Sequence, residues 1–537
     1  MGVGSRRLCR PQIVATSLGK KTLIADVQRT ASGNVAAHVI VVFAAARTGF
    51  ELKFCIRGKT TERAHSRRGA TEIEYVALSN SLPFPRKHPM KNGIIAALFL
   101  SAVAASTSAE QVSVDFGSAI RPLTHAGTGI LHSMSSTSPT DSLITPLKPQ
   151  LMRTEPGTVP FSTYDRGVAL GVKSYQLVVS DATNYKSPWP GDKNNWTSWE
   201  NTAKSLAQQA LTQNKEVMFD IWNEPDVAGE FWGRNKTQWL ETWKRGVNAI
   251  RSVDPTATIV GPSVSSYNNS FLGMKDFLTY AKANNVLPDV ISWHSFGSYI
   301  TAEVNDLKSI GTSLGVNVSR ISINESLAEN EAYRPGAVPD YLAEIEGNRI
   351  ESSARSCWGT CFNNSLDGLL TSANKPRSTW WVYERYGRMS GESVTTIGAT
   401  SLNVVASRDT GLAYALVGRF AQSSSKAQIL LDNLDEVQSL LVNGKVHVVA
   451  ERIANSNTSA STGPTVTINA DYTVTNGQLL LTLPNFGASY DAYAITLSPI
   501  KTSLLTMSGT IPEPSSITLL LICGSWLSLR VRQRRPA

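Results

Sequence analysis

The sequence predicts an α/β chain in which a (β/α)8 TIM barrel is followed by an antiparallel β-sandwich domain. From about residue 120 to 390, short apolar runs alternate with helical patterns. Repeated β-α units with a parallel sheet read this way. After Gly391 the texture changes to short alternating runs separated by Gly, Asn, Ser and Asp, the spacing of a sandwich. Without its ends, the chain of 537 residues leaves enough length for a barrel of roughly 250 residues and a smaller second domain.

In chain order, the barrel strands are expected at 127–132, 150–154, 172–180, 216–222, 258–261, 290–293, 321–324 and 354–358. The first and the eighth carry the weakest patterns. Helical stretches lie between them at 196–213, 236–253, 275–284 and 340–353. The sandwich strands are expected at 402–406, 412–418, 427–431, 445–450, 465–469, 479–483 and 492–497, with a polar loop at 455–463. The expected units are therefore a barrel at 110–390, a sandwich at 391–500 and a linker with a terminal segment at 501–537.

The formal charge of +9 belongs to the ends. Residues 1–89 hold 15 Lys/Arg against 5 Asp/Glu, and residues 511–537 hold 4 against 1. Residues 110–510 keep 31 basic and 36 acidic side chains, so nothing in the body suggests a nucleic-acid partner. Met90-Lys91-Asn92 opens an apolar run through 105, followed by Ser106-Thr107-Ser108-Ala109. A short basic start, an apolar centre and a small-residue exit describe a secretory signal peptide at 90–109. Translation is then expected to begin at Met90, with 1–89 an upstream misannotation; the competing reading is a buried apolar helix. At the other end, Ile511-Pro512-Glu513-Pro514 precedes an apolar run at 517–529 and the cluster Arg530, Arg532, Arg534 and Arg535. The run is short for a full span, and the arginines should stay cytoplasmic. This order resembles the PEP-CTERM sorting signal of Gram-negative bacteria. The resemblance implies an exosortase-type processing enzyme as partner and transient membrane association; a plain tail anchor is the alternative. Either way the body is expected outside the cytoplasm, at the cell surface, in the extracellular matrix or in the periplasm. Cys357 and Cys361, four apart, permit a local disulfide in such a compartment.

The chemistry concentrates in Val217-Met218-Phe219-Asp220-Ile221-Trp222-Asn223-Glu224-Pro225-Asp226. An apolar strand that ends in an amide, a carboxylate and a proline presents them at the catalytic end of a parallel barrel. Ile321-Ser322-Ile323-Asn324-Glu325 repeats the arrangement about a hundred residues later. Two carboxylates at two strand ends are the minimum apparatus for cleaving a glycosidic bond: one protonates the leaving oxygen, the other acts from the sugar's opposite face. Glu224, beside Trp222 and an apolar strand, suits the proton donor, because such surroundings raise a carboxyl pKa. Glu325 suits the nucleophile.

Asn223-Glu224-Pro225 on the fourth strand and Glu325 on the seventh resemble clan A glycoside hydrolases, most closely family 39-like enzymes and secreted β-xylosidase-like bacterial relatives, over roughly 120–500. The resemblance implies a retaining double displacement with Glu224 as acid/base and Glu325 as nucleophile, on a poly- or oligosaccharide. It further implies that Asn223 bonds the sugar 2-hydroxyl and that Arg153 keeps the nucleophile ionised; a salt bridge from Arg153 to Glu155 is the competing reading. His294, at the end of the sixth strand, contacts either the sugar or a glutamate, or is a core histidine. Phe296 stands where many clan members hold the nucleophile with a tyrosine, so that hydrogen bond must come from His294, Tyr299 or elsewhere. His132 is a candidate for a sugar hydroxyl, and Trp358 for a stacking platform. Trp189, Trp196 and Trp232 are candidates for outer subsites, whereas Trp380 and Trp381 have the spacing of a packed helix. The chemistry requires no metal and no cofactor. Two other readings remain: a non-catalytic carbohydrate-binding protein on a TIM-barrel scaffold, and an inverting hydrolase with Asp226 as base.

Overall fold

The computed structural model describes residues 21–25, 35–46, 49–60, 109–156, 161–297, 299–356, 358, 364–423, 425–486 and 490–500. The signal-peptide stretch 90–108, the terminal segment 501–537 and both Cys357 and Cys361 lie outside the described residues. Residues 1–105 and 106–537 are two separate units. In the first, β1 (Lys21–Ala25), β2 (Val35–Ala46) and β3 (Gly49–Thr60) form an antiparallel sheet in that order.

The second unit begins with β4 (Glu110–Pro122) and then runs through a closed barrel. Its eight parallel strands are β5 (Ile130–Leu131), β6 (Leu151–Thr154), β7 (Ser174–Val178), β8 (Met218–Asp220), β9 (Thr258–Val264), β10 (Val290–Ser295), β11 (Ile321–Ser326) and β12 (Ser352–Arg355). Each pairs with the next, and Gly129 N donates to Ser353 O at 2.8 Å to close the circle. A Cβ at Gly129 would stand 2.4 Å from that same oxygen, so the closure requires glycine. The long outer helices are α3 (Thr197–Thr212), α4 (Lys236–Arg251), α5 (Met274–Ala283), α6 (Ile300–Leu314), α7 (Val338–Gly347) and α8 (Ser378–Arg388), after two short helices α1 (Asp141–Ile144) and α2 (Tyr164–Ala169). Asn235 caps α4 by accepting from Gln238 N at 2.9 Å. Two expectations shift here. Helix 340–353 stops at Gly347, and the eighth strand starts at Ser352, because residues 352–355 must complete the parallel ladder.

Inside the barrel the strands change character along their length. Low in the barrel, Leu131, Leu151 and Ala354 pack together, as do Met218, Val260 and Val290. Above them Gln176, Ser322, Ser352, Ser292, Ser263, Asp220 and Asn324 are all fully or almost fully buried, and hydrogen bonds join them. Between α-helices and barrel, the side chains are apolar.

The second domain is a nine-stranded sheet in the order β18-β17-β20-β15-β14-β13-β4-β16-β19. Its remaining strands are β13 (Glu392–Ile397), β14 (Leu402–Asp409), β15 (Leu412–Arg419), β16 (Ala427–Asp432), β17 (Lys445–Ile453), β18 (Thr465–Thr473), β19 (Leu479–Leu483) and β20 (Ala492–Ser498). Alternation is strict where one face is buried, as in Leu479, Leu481 and Leu483 against exposed Leu480 and Thr482. Side chains from strands at both ends of the sheet share one core, so the sheet folds over on itself as a sandwich. The unit boundaries differ from 110–390 and 391–500. β4 belongs to the sandwich, parallel to β16 and antiparallel to β13. Val112, Val114 and Phe116 alternate into its core, so burying that face outweighs sequence proximity to the barrel.

The two domains meet at α7 and α8. Asp340 accepts from Asn403 Nδ2 at 2.6 Å, and Arg385 forks onto Glu451 at 2.7 and 2.8 Å. Gly336 and Gly418 touch there; a Cβ on Gly418 would stand 2.2 Å from Gly336 O.

Candidate active site

The polar end of the barrel gathers five of the residues singled out in the sequence. Glu224 lies just beyond β8 with a left-handed φ of 44°, a conformation that costs a non-glycine residue on the order of 1 kcal/mol or more. Its amide donates to Ser263 O at 2.9 Å, and Ser263 is itself left-handed at φ 50°. His294 Nδ1 lies 2.7 Å from Glu224 Oε1, while His294 Nε2 lies 3.8 Å from Glu325 Oε1. Arg153 serves three partners: Nε donates to Asp220 Oδ2 at 2.9 Å, Nη1 to Glu325 Oε1 at 2.9 Å and Nη2 to Asn223 Oδ1 at 2.8 Å.

Two irregularities in the sheet make this convergence possible. Along β11, Ile321 and Ile323 face the helices, and Ser322 and Asn324 face the barrel interior. Simple alternation would turn Glu325 outward. The pairing with β10 slips there: Trp293 faces Ile323, but His294 faces Glu325. Asn324 is thus an extra, bulged residue, and Glu325 points into the barrel mouth as well. The same slip between Ser292 and Trp293 makes Ser263 the extra residue on β9. Both bulged residues reach Asp220: Ser263 Oγ donates to Oδ1 at 2.7 Å and Asn324 Nδ2 to Oδ2 at 3.0 Å.

Burial pushes the Glu224 carboxyl up to about 7, against the opposing pull of the Arg153 cation. Burial pushes His294 down to about 4. The 2.7 Å contact between them is therefore a hydrogen bond to a neutral imidazole, despite its ion-pair geometry. Burial works against the Arg153 charge, yet Asp220 and Glu325 hold its pKa above the ordinary value. One oxygen each of Glu224 and Glu325 and a nitrogen of His294 all lie within 4.8 Å of one another. That spacing would suit a cation, but Arg153 already places a full positive charge against Glu325, which opposes a second one.

The structure separates several sequence readings. Arg153 pairs with Asp220 and Glu325 rather than Glu155. The hydrogen bond to Glu325 comes from Arg153, and Tyr299 is 62% exposed. Asp226 accepts from Ser265 N at 2.8 Å and from Ser265 Oγ at 2.6 Å, which commits both its oxygens to pinning a loop. His132 joins through its backbone, donating to Arg153 O at 3.2 Å, and burial pushes its ring down to about 3. Trp358 donates to Leu327 O at 2.9 Å and meets the Phe296 ring edge-on at 5.2 Å; Phe296 in turn adjoins His294. The outer-subsite expectation fails for Trp189 and Trp232. Both are buried and pack edge to face, and a Cβ on Gly233 would stand 2.5 Å from the Trp189 indole nitrogen. The loops after β7 and β8 fold onto each other and consume these rings as core. Trp196 instead stacks under Arg245 at 4.4 Å.

Three residues of the site were not singled out in the sequence. Asp220 and Asn324 had a signal: a carboxylate and an amide inside apolar strand runs need buried partners. Ser263 had none. Asp181, which follows β7, is also close: burial pushes its carboxyl up to about 7, and Tyr185 and Arg153 oppose that.

Residues 168–311 match glycosyl hydrolases family 39. That stretch lies within the barrel. The matched stretch holds Glu224 and His294 and stops short of Arg153 and Glu325. The chain is 25% identical over 212 residues to the 3-O-α-D-galactosyl-α-L-arabinofuranosidase of Bifidobacterium longum subsp. longum, a match that takes in 38% of this chain and 17% of that protein. The chain thus spans a minor part of that relative's length. Among solved structures, N2152 from Neocallimastix frontalis is 25% identical with a TM-score of 0.64, over 73% of this chain and 100% of that one. A monomeric β-xylosidase from Caulobacter crescentus CB15 shares the fold, with a TM-score of 0.54 at 13% identity over 73% of this chain and 100% of that one.

Proposed function

We propose that the chain is a secreted retaining glycosidase that cleaves O-glycosidic bonds of a poly- or oligosaccharide, with Glu224 as acid/base and Glu325 as nucleophile. The observation that carries the proposal is the short gap between carboxylates in different surroundings, one on a neutral histidine and one on an arginine. Retaining enzymes keep their carboxyls about 5–5.5 Å apart, whereas inverting enzymes leave about 6.5–9.5 Å for a water. One oxygen from each carboxylate lies within 4.8 Å of the other, which supports the retaining reading.

In this reading Glu224 still holds a proton near neutral pH, as a carboxyl pushed up to about 7 does, and delivers it to the leaving oxygen. Glu325, held by Arg153 Nη1, attacks the anomeric carbon from the other face. The Glu224 carboxylate left behind then takes a proton from a water whose oxygen bonds to the anomeric carbon as the bond from that carbon to Glu325 breaks, which frees the sugar and restores the Glu325 carboxylate. In the same reading Asn223, held by Arg153 Nη2, bonds the sugar 2-hydroxyl, His132 a further hydroxyl, and Trp358 with Phe296 forms an aromatic wall. The names of the relatives make α-L-arabinofuranosides and β-D-xylosides the first substrates to try. Proton NMR of the first-formed sugar from an aryl glycoside should show the starting anomeric configuration; the opposite anomer would sink the double displacement.

We extend the proposal to the ends of the chain. The protein is exported after removal of residues 90–109, and residues 501–537 act as a sorting segment read by an exosortase-type enzyme while transiently in the membrane. Among the described residues no helix is long and apolar enough to cross a membrane. Edman sequencing of secreted protein should begin at Glu110, and a start upstream of it would refute the Met90 origin.

A further inference from the structure

Asp220 is the last residue of β8, and its side chain is completely buried. Its two oxygens accept three hydrogen bonds: Oδ1 from Ser263 Oγ at 2.7 Å, and Oδ2 from Arg153 Nε at 2.9 Å and Asn324 Nδ2 at 3.0 Å. Each donor leads to a different part of the site. Ser263 takes the Glu224 amide on its carbonyl at 2.9 Å. Asn324 is the bulged residue directly before Glu325. Arg153 holds both Glu325 and Asn223.

We propose that Asp220 is a positioning residue of the glycosidase reaction: one buried carboxylate fixes the three groups that place Glu224, Glu325 and Asn223, and it balances the charge of Arg153. The proposal rests on the reading of Glu224 and Glu325 given above. Asp220 Oδ2 lies 2.9 Å from both Nε and Nη2, which holds the guanidinium in plane with Nη1 on Glu325 and Nη2 also on Asn223. The negative charge of Asp220 also screens Glu224 from Arg153. Beside Glu224 lie His294 on β10 and Glu325 on β11, and the charge of Arg153 on β6 acts on it; Asp181 after β7 acts in turn on Arg153, and Asp226 after β8 on His294. Removing the Asp220 charge leaves Arg153 with Glu325 as its one ion-paired carboxylate, and a less compensated cation favours the ionised Glu224.

Asp220→Asn separates charge from shape. The amide oxygen can still accept from Arg153 and Asn324. The new N–H2 can donate to Ser263 Oγ, whose own proton can turn to Ser292 Oγ, 2.7 Å away. Two measurements on the full chain then decide. Carbon-13 NMR titration of labelled glutamate carboxyls, with Glu224 assigned by its loss in Glu224→Gln, should show the Glu224 midpoint lowered by roughly half a unit to one unit in Asp220→Asn. On an aryl glycoside, kcat should fall about 10²-fold with KM nearly unchanged, and the basic limb of the pH–rate profile should move to lower pH by the same amount. An unmoved Glu224 midpoint overturns the proposal even if activity falls, because a purely structural role would loosen the site without that shift. Absence of any hydrolysis by the unaltered protein would instead count against the glycosidase reading, and the NMR titration would still decide Asp220. Should Asp220→Asn not fold, Asn324→Ser removes one donor to the same oxygen; kcat reduced about tenfold supports the proposal, and an unchanged kcat overturns it.

Discussion

In the sandwich, Val112, Val446, Val448, Ile429, Leu431 and Leu481 meet in one apolar core, with the buried Arg419 against Phe486 at its edge. In the upper barrel, Arg153, Asp220, His294, Asn324 and four serines occupy equally buried positions. Both interiors exclude water, by different means. The sandwich core needs only matched volume. The barrel's upper layer must match donors to acceptors, since an unpaired buried charge costs several kcal/mol or more. A domain built only for stability would not retain such a layer, because a well-packed apolar replacement is often as stable or more so. The difference therefore locates function: the polar layer holds Glu224 and Glu325 in fixed geometry, and the sandwich braces the barrel through α7 and α8.

The sharpest way to break this contrast is to neutralise the two glutamates. Glu224→Gln and Glu325→Gln should each lower kcat by at least ~10³-fold while thermal melting stays cooperative; near-normal turnover in either would sink the assignment. Arg153→Lys comes next. A lysine cannot serve Asp220, Glu325 and Asn223 at once, so kcat should fall ~10²-fold and the melting temperature should also drop. In the sandwich, Leu431→Ala should cost about 2–5 kcal/mol of stability in a denaturant titration with kcat at 25 °C intact. A parallel loss of kcat would show that the domains are less independent than their interiors suggest. The smallest effects follow from the pKa of Glu224. Hydrolysis requires its proton, so the rate should decline as pH rises through about 7. The raised pKa also means that ionisation opposes folding: the penalty is absent below the ordinary value of 4.5 and grows as pH rises towards 7. Glu224→Gln should therefore raise the melting temperature at pH 8 and leave it nearly unchanged at pH 4.

Most of the architecture was legible in the sequence because it depends on periodicity. Each expected barrel strand overlaps an observed one, and so do the seven expected sandwich strands. β4 was not legible. Its residues Val112, Val114 and Phe116 alternate as any half-buried strand does, and nothing local says which of two cores they enter. The tryptophans misled for a similar reason, since Trp189 and Trp232 lie on loops whose mutual packing is not written in their neighbours.

For the site, the sequence by itself determined the chemistry available: Glu224, preceded by Asn223, and Glu325 closing apolar strands, with Arg153 and His294 at the ends of others. Which of these touch was decided by the tertiary structure. The bulges at Ser263 and Asn324 arise from pairing with β10, outside the local sequence of either residue, and the one at Asn324 turns Glu325 inward against the parity of its own strand. Asp220, two residues before Trp222, then joins residues 153, 263 and 324 into one network. A strand's sequence encodes its alternation, but only its neighbours fix the register that decides where each carboxylate points.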